Sequence, residues 1–310
     1  MIRQKMQIPK KRNKSIFSVL SVLVLLSCNN ATQNKTAGYK DFSLPDIPVV
    51  ITDKQEAYKH VALNYWNDFN FADSMAYRQT TAQIFTGFLN TLQYVDLQTI
   101  LQSMENMMKK AESDSNGYIR FTGICEQYLY GANSPYRSDD LYIPVLQSII
   151  NTNIIDSNYK TVAQYRLKMA MKNRTGNQAA DFEYTLASGI TRKLYDIKTE
   201  FVLLFINNPG CNACKEYIDR IQNSQLIRQL IKEKLLAVLA VYPDSDLDEW
   251  KKYQSQIPSD WINAFDKKLA IRNDEIYDLR AIPVLYLLDS NKKILLKDTF
   301  VESIEKYFTL

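Results

Sequence analysis

The sequence predicts an α/β sandwich around a mixed sheet, preceded by an all-α domain. Three observations carry this. Helical periodicity dominates from about Pro48 to Asn173, and after about Gly176 short apolar runs alternate with helical patterns and close in a hairpin. Only eight glycines occur in 310 residues, which suits a helix-rich chain, and 46% hydrophobic content is ample for two cores. The expected organisation is a signal peptide over 1–27, a tether over 28–48, a helical domain over 49–175 and the α/β domain over 176–310. No internal repeat or low-complexity tract interrupts it.

Arg3, Lys5, Lys10, Lys11, Arg12 and Lys14 precede any acid, and removing these six charges from a formal net charge of +4 leaves −2. A mature chain near neutrality has no electrostatic footprint for nucleic acid. The basic residues lead into the apolar stretch Ile16 to Leu26, which is too short for the roughly 20 residues of a membrane span and fits a secretory h-region. The following "LLSC", Leu25 to Cys28, resembles the lipobox of bacterial lipoproteins, although Leu26 is larger than the usual residue there. That resemblance implies cleavage before Cys28 and its acylation, anchoring the chain in a lipid bilayer outside the cytosol at about 0.8 kcal/mol per buried methylene. Asn29 follows with no acidic cluster after it, which favours a periplasm-facing anchor.

Polar residues without a period continue to about Pro48 and read as the tether. In the helical domain Asp96 is a candidate N-cap, and Leu97, Ile100, Leu101, Met104, Met107, Met108 and Ala111 fall on one predicted core face. A second helix starts at Asp139 or Asp140, with Pro144 tolerable only inside the first turn. "YWNDFNFAD" (Tyr65 to Asp73) and "SPYRSDDLYIPVLQSII" (Ser134 to Ile150) resemble an uncharacterised helical domain found before thioredoxin-like domains in bacterial lipoproteins, which implies a spacer or interaction module. His60, the sole histidine, reads as a surface or partly buried helix residue, and Cys125 as a small apolar core residue.

Strands are predicted at Phe201 to Ile206, Lys234 to Tyr242, Pro283 to Asp289 and Lys292 to Asp298, the last two joined at Ser290 and Asn291. Helical patterns fill Asn212 to Lys232 and Asp246 to Ile257, and a terminal helix begins near Val301.

After the first strand, "NNPGCNACKEY" places Cys211 and Cys214 three residues apart. A zinc half-site, a structural staple and a redox couple all begin with this spacing. Strand, Pro-Gly turn, C-x-x-C at a helix start and the distant "YDLRAIPVLYLLD" resemble the thioredoxin fold. "AADFEYTLASG" and the insertion around Trp250 resemble its extracytoplasmic TlpA/ResA-like branch. The resemblance covers about residues 176 to 310 and implies a redox-active disulfide as the only cofactor, with a cis bond before Pro283 and Ile282 and Pro283 contacting substrate.

The chemistry agrees. Residues three apart on a helix lie about 5 to 6 Å from each other, within reach of a disulfide. A helix N-terminus favours thiolate, making Cys211 the nucleophile and Cys214 the resolving thiol. As a staple the four-residue loop would contribute only about 2 kcal/mol. Zinc requires four ligands, and with Cys28 acylated only Cys125 and His60 remain to help, so no metal site is expected.

Two departures limit the mechanism. Phe205 stands where thioredoxins place a buried acid, and Tyr217 where TlpA/ResA-like proteins often place Glu; Glu216 is one position short. The expected function is a membrane-anchored, extracytoplasmic thiol-disulfide oxidoreductase that reduces disulfides of exported proteins and takes electrons from a membrane thiol-disulfide relay. Oxidation or isomerisation is the nearest alternative. The alternative from another class is a lipoprotein scaffold whose thioredoxin-like domain is redox-inert.

Overall fold

The computed structural model describes residues 41–73 and 79–309. The signal peptide, Cys28 and most of the tether lie outside them. The chain divides into two compact units between Tyr159 and Lys160, sixteen residues before the change of residue pattern at Gly176.

The first unit is helical: α1 (Lys54–Asn64), α2 (Thr81–Thr91), α3 (Leu97–Ala111), α4 (Ser115–Cys125) and α5 (Asp139–Asn151), with a π-helical turn at Glu126–Tyr130. Its core centres on Trp66, whose ring lies 5.0 to 5.7 Å from those of Phe69, Phe71, Phe88 and Phe121. Burying each such side chain is worth about 1.5–3 kcal/mol. His60 is partly buried on α1 and bonds the Asp46 carbonyl through Nε2 at 3.1 Å.

Two helical expectations need correction. Asp96 does cap α3, accepting the Thr99 N–H at 2.9 Å. Leu97 and Leu101, however, are exposed, and the buried stripe adds Thr99 and Ser103 instead. The hydroxyls make this possible, because Thr99 bonds Asp96 and Ser103 donates back to the Thr99 carbonyl, so neither is left unsatisfied by burial. In α5 the cap is Ser138, which accepts the Leu141 N–H at 3.3 Å. Neither Asp139 nor Asp140 is the cap, and Pro144 therefore sits in the second turn, where its ring costs the Asp140 carbonyl a donor. Leu141, Tyr142, Val145 and Leu146 are all buried, and their packing holds the helix through the break.

Helix α6 (Ser157–Ala170) runs across the division. In the second unit Lys168 pairs with Glu275 at 3.0 Å, and Lys297 donates to the Ala170 carbonyl at 2.9 Å, closing the helix end. Strands follow as β1 (Glu183–Leu186), β2 (Thr191–Lys193) and β3 (Phe201–Ile206). Next come α7 (Asn212–Asn223), α8 (Gln225–Lys232), β4 (Leu236–Tyr242), α9 (Leu247–Tyr253), β5 (Ile262–Phe265) and α10 (Ala270–Asn273). The chain closes with β6 (Val284–Asp289), β7 (Ile294–Leu296) and α11 (Val301–Thr309).

The sheet order is β2-β1-β5-β4-β3-β6-β7. Strands β3, β4 and β5 run parallel, whereas β6 returns antiparallel beside β3, so the sheet is mixed as expected. Alternation along β3 divides the core: Val202, Leu204 and Ile206 face one layer, and Leu203 and Phe205 face the other, together with Cys214. The predicted helix from Asn212 to Lys232 is broken at Ser224. That residue has extended dihedrals, ends α7, and caps α8 by accepting the Ile227 N–H at 3.3 Å.

Candidate active site

The site is built at the end of β3. Asn207 is buried and pins the strand end: its N–H donates to the Val241 carbonyl at 3.0 Å, and its side-chain amide reaches the carbonyls of Phe205 and Val241. Asn208 donates to Asp244 Oδ2 at 3.4 Å, and Asp244 is paired with Arg272, whose Nη2 lies 2.8 Å from the same oxygen. The loop is therefore tied on its β4 side before it turns. Gly210 supplies the turn, with a φ of 74° that a side chain would strain, and the Cys211 N–H closes it on the Asn208 carbonyl at 3.3 Å.

Cys211 is the N-cap of α7, and the Cys214 N–H donates to its sulfur at 3.0 Å. The two cysteines are joined in a disulfide with Cα atoms 5.2 Å apart. They differ in access: Cys211 is partly exposed, and Cys214 is fully buried. A reduced Cys211 thiolate would keep the Cys214 N–H and gain the positive end of α7.

Ile282 and Pro283, 71 and 72 residues after Cys211, are brought to the pair by the sheet. Antiparallel pairing sets Ile206 opposite Val284, so the segment entering β6 must pass beside the segment leaving β3. The Ile282–Pro283 bond is cis, and the Ile282 carbonyl oxygen lies 3.7 Å from Cys211 Sγ. Both residues are partly exposed. The arrangement places a partly exposed sulfur beside a partly exposed stretch of chain.

Beneath the pair, Phe205 is fully buried with its ring 6.0 Å from that of Trp261. Tyr217 packs partly buried against the same cluster. Glu216 points away to Arg220, at 2.5 Å, and Arg220 also holds Glu302. An open groove of about 720 Å³ runs beside these ion pairs from Asn212 to Val301. Sequence reasoning missed Asn207, Asn208, Asp244 and Arg272. The double Asn before the Pro-Gly turn was the available signal, because amides at a strand end commonly satisfy the backbone.

Cys125 is buried and unbridged in the first unit, and burial pushes its thiol pKa well up. Among the described residues no cluster of His, Cys, Asp and Glu is arranged to hold a metal, and no helix is long and apolar enough to cross a membrane.

No match was found among curated proteins. Residues 4–173 match the family model described as "Domain of unknown function (DUF5106)". Among solved structures, a thioredoxin-like protein from Bacteroides caccae ATCC 43185 is 39% identical, with 86% of this chain and 98% of that one covered and a TM-score of 0.82. The C-terminal domain of an uncharacterized protein from Bacteroides fragilis NCTC 9343 is 49% identical over 44% of this chain and 99% of its own, with a TM-score of 0.44. A putative thiol:disulfide interchange protein DsbE from Chlorobium tepidum is 26% identical over 44% of this chain and 96% of its own, with a TM-score of 0.38. The first of these likenesses spans both units, and with the match over residues 4–173 it places the chain in the DUF5106 family as a thioredoxin-like protein.

Proposed function

We propose that the chain is an extracytoplasmic, TlpA/ResA-like thiol-disulfide oxidoreductase, held to a membrane by an acylated Cys28, that reduces disulfides in exported proteins. The observation that carries this is the Cys211–Cys214 disulfide across the first turn of α7, with the partly exposed Cys211 sulfur 3.7 Å from the Ile282 carbonyl.

The reduced Cys211 thiolate attacks one sulfur of a substrate disulfide, forming a mixed disulfide and expelling the other sulfur as thiolate. Cys214 then gives up its proton, which a departing substrate sulfur takes up, and attacks Cys211. The Cys211–Cys214 bond forms, the mixed disulfide breaks, and two electrons have passed to the substrate. A membrane dithiol of matching chemistry would restore the pair. Pairing with the Ile282 backbone and packing on Pro283 would hold the substrate strand during the exchange.

The test is the reduction potential of the couple by glutathione titration, with thiols read by mass spectrometry. A value near −270 mV, the thioredoxin end of the range, is expected for a reductant. A value near −120 mV would make the protein an oxidant or isomerase.

Phe205 favours one second reading: without an acid beneath the pair, the α/β domain is a redox-inert platform and the helical unit binds the partner. Full function from residues 49–175 alone would establish that scaffold.

A further inference from the structure

We propose that Arg280 is the positioning residue of the substrate-binding loop, fixing Ile282 against Cys211 through a buried ion-pair bridge between Asp278 and Asp298. This deepens the function proposed above and rests on it.

Residues 274–283 connect α10 to β6 without a regular element and carry Ile282 at their end. Connecting segments of this kind are ordinarily the mobile parts of a fold. Here the segment is fastened two residues before Ile282. Arg280 Nε lies 3.2 Å from Asp278 Oδ2, and Arg280 Nη2 lies 3.7 Å from Asp298 Oδ2. The three side chains are only 9%, 9% and 14% exposed. Asp278 also accepts the backbone N–H of Arg280 at 2.9 Å, which sets the local turn.

The far end of the bridge is anchored as well. Asp298 follows β7 with a left-handed φ of 45°, and the N–H of its neighbour Thr299 donates to the Leu285 carbonyl at 3.1 Å. The bridge thus ties the incoming loop to a segment already fastened to β6.

Charges removed from water are costly even when paired, and apolar side chains of similar volume often hold a core as well. Both contacts are charge pairs without hydrogen-bond geometry, so what the guanidinium adds is one positive head held between carboxylates of two separate segments. Only Ala281 separates Arg280 from Ile282, so the position of the bridged guanidinium is passed to the backbone beside Cys211. A substrate strand paired there presents its sulfur correctly only if that backbone is held, and small misplacements are expensive in rate.

The test uses the full chain, reduced, with two disulfides in parallel. Insulin presents its disulfides in polypeptide, whereas 5,5′-dithiobis(2-nitrobenzoic acid) needs no backbone pairing. For Arg280→Gln, kcat/KM for insulin should fall about tenfold or more, chiefly through KM, while the small-disulfide rate constant stays within about twofold and the potential of the couple is unmoved. Arg280→Lys keeps the positive charge and should recover part of the loss. Equal losses with both disulfides, or an unchanged insulin KM in the folded variant, would overturn the proposal. If Arg280→Gln does not fold, Asp298→Asn is read by the same criterion, since it leaves the Asp278 contact in place. A wild-type chain that reduces neither disulfide overturns the oxidoreductase reading itself, whereas an active wild type with insensitive variants overturns the positioning role alone.

Discussion

Cys125 and Cys211 sit in opposite surroundings: one is sealed inside a helical core, and the other opens a helix at a partly exposed site. Cys125 is fully buried where α4 runs straight on into the π-helical turn, and its thiol is held protonated by burial. Cys211 opens α7, is partly exposed, and receives an N–H on its sulfur. Cys214 shares the burial of Cys125 but lies in the first turn of its helix, bonded to a reachable partner. Access and a helix N-terminus, not residue type, therefore set the reactivity expected of each thiol.

The largest test of that contrast is removal of each thiol in turn. Cys211→Ser should lower insulin reduction to the uncatalysed background, and Cys125→Ala should leave it within about twofold of wild type, because nothing links Cys125 to the exchange. Equal losses would mean that Cys125 takes part. Next comes reactivity itself. In the reduced native chain, iodoacetamide at pH 7 should label Cys211 first, while Cys125 should react on the order of 10³-fold more slowly, since it is reached only by opening of the helical core. Peptide mapping measures both rates. Prompt labelling of Cys125 would show that its shelter opens locally.

Phe205 probes what lies under the pair. Truncating this fully buried ring should destabilise the protein by about 3–5 kcal/mol in Phe205→Ala, read as a shift in the urea midpoint with an unchanged slope. A loss below about 1 kcal/mol would mean that the layer around Cys214 is loosely packed.

What the sequence made legible follows the same division between local and distant causes. Strand β3 is an apolar run closed by Pro209 and Gly210, and the Asp96 cap is written in adjacent residues, so both are found at their predicted places. The edge strand β2, "TRK", is exposed throughout and shows no apolar alternation to read. Strand β5 has four residues and depends on its pairing with β1 and β4. The break at Ser224 was missed although a signal was available: Ile221 and Ile227 are six residues apart and so out of helical phase, with Ser224, a good capping residue, between them. At the site, the cysteines are legible from their spacing. The Asp244–Arg272 and Arg280–Asp298 pairs are not, since those partners are distant in sequence and meet only in the folded chain.

Polarity within the two cores sharpens the contrast further. Cys125→Ser places a hydroxyl in the fully buried site of an inert thiol, and a loss of about 1–3 kcal/mol is expected if no acceptor reaches it. Cys125→Ala should cost about 1 kcal/mol, because it removes one sulfur and introduces no polar group. A serine variant as stable as the alanine variant would reveal a hidden acceptor beside α4.

The last effect is one of pH, and it acts on Cys125 without touching the disulfide. In the oxidised protein Cys211 and Cys214 carry no proton, so among the described residues Cys125 is the thiol that titrates. Its folded pKa is raised by burial, whereas in the unfolded chain it ionises near 8.5. The folded state then binds more protons than the unfolded state above that value, so the stability that Cys125 contributes is intact below about pH 8.5 and is lost as pH rises towards the folded pKa. At about one unit above the unfolded pKa the loss is about 1.4 kcal/mol. Tyr118, pushed up to about 12 by burial, acts in the same direction from a higher starting pH. Urea unfolding of oxidised wild type and Cys125→Ala at pH 7.5 and 9.5 isolates the thiol: the wild type should lose more stability over this interval by about that amount. Parallel losses in the two proteins would mean that Cys125 ionises in the folded chain as it does in the unfolded one, and the contrast between the two cysteines would then rest on access alone.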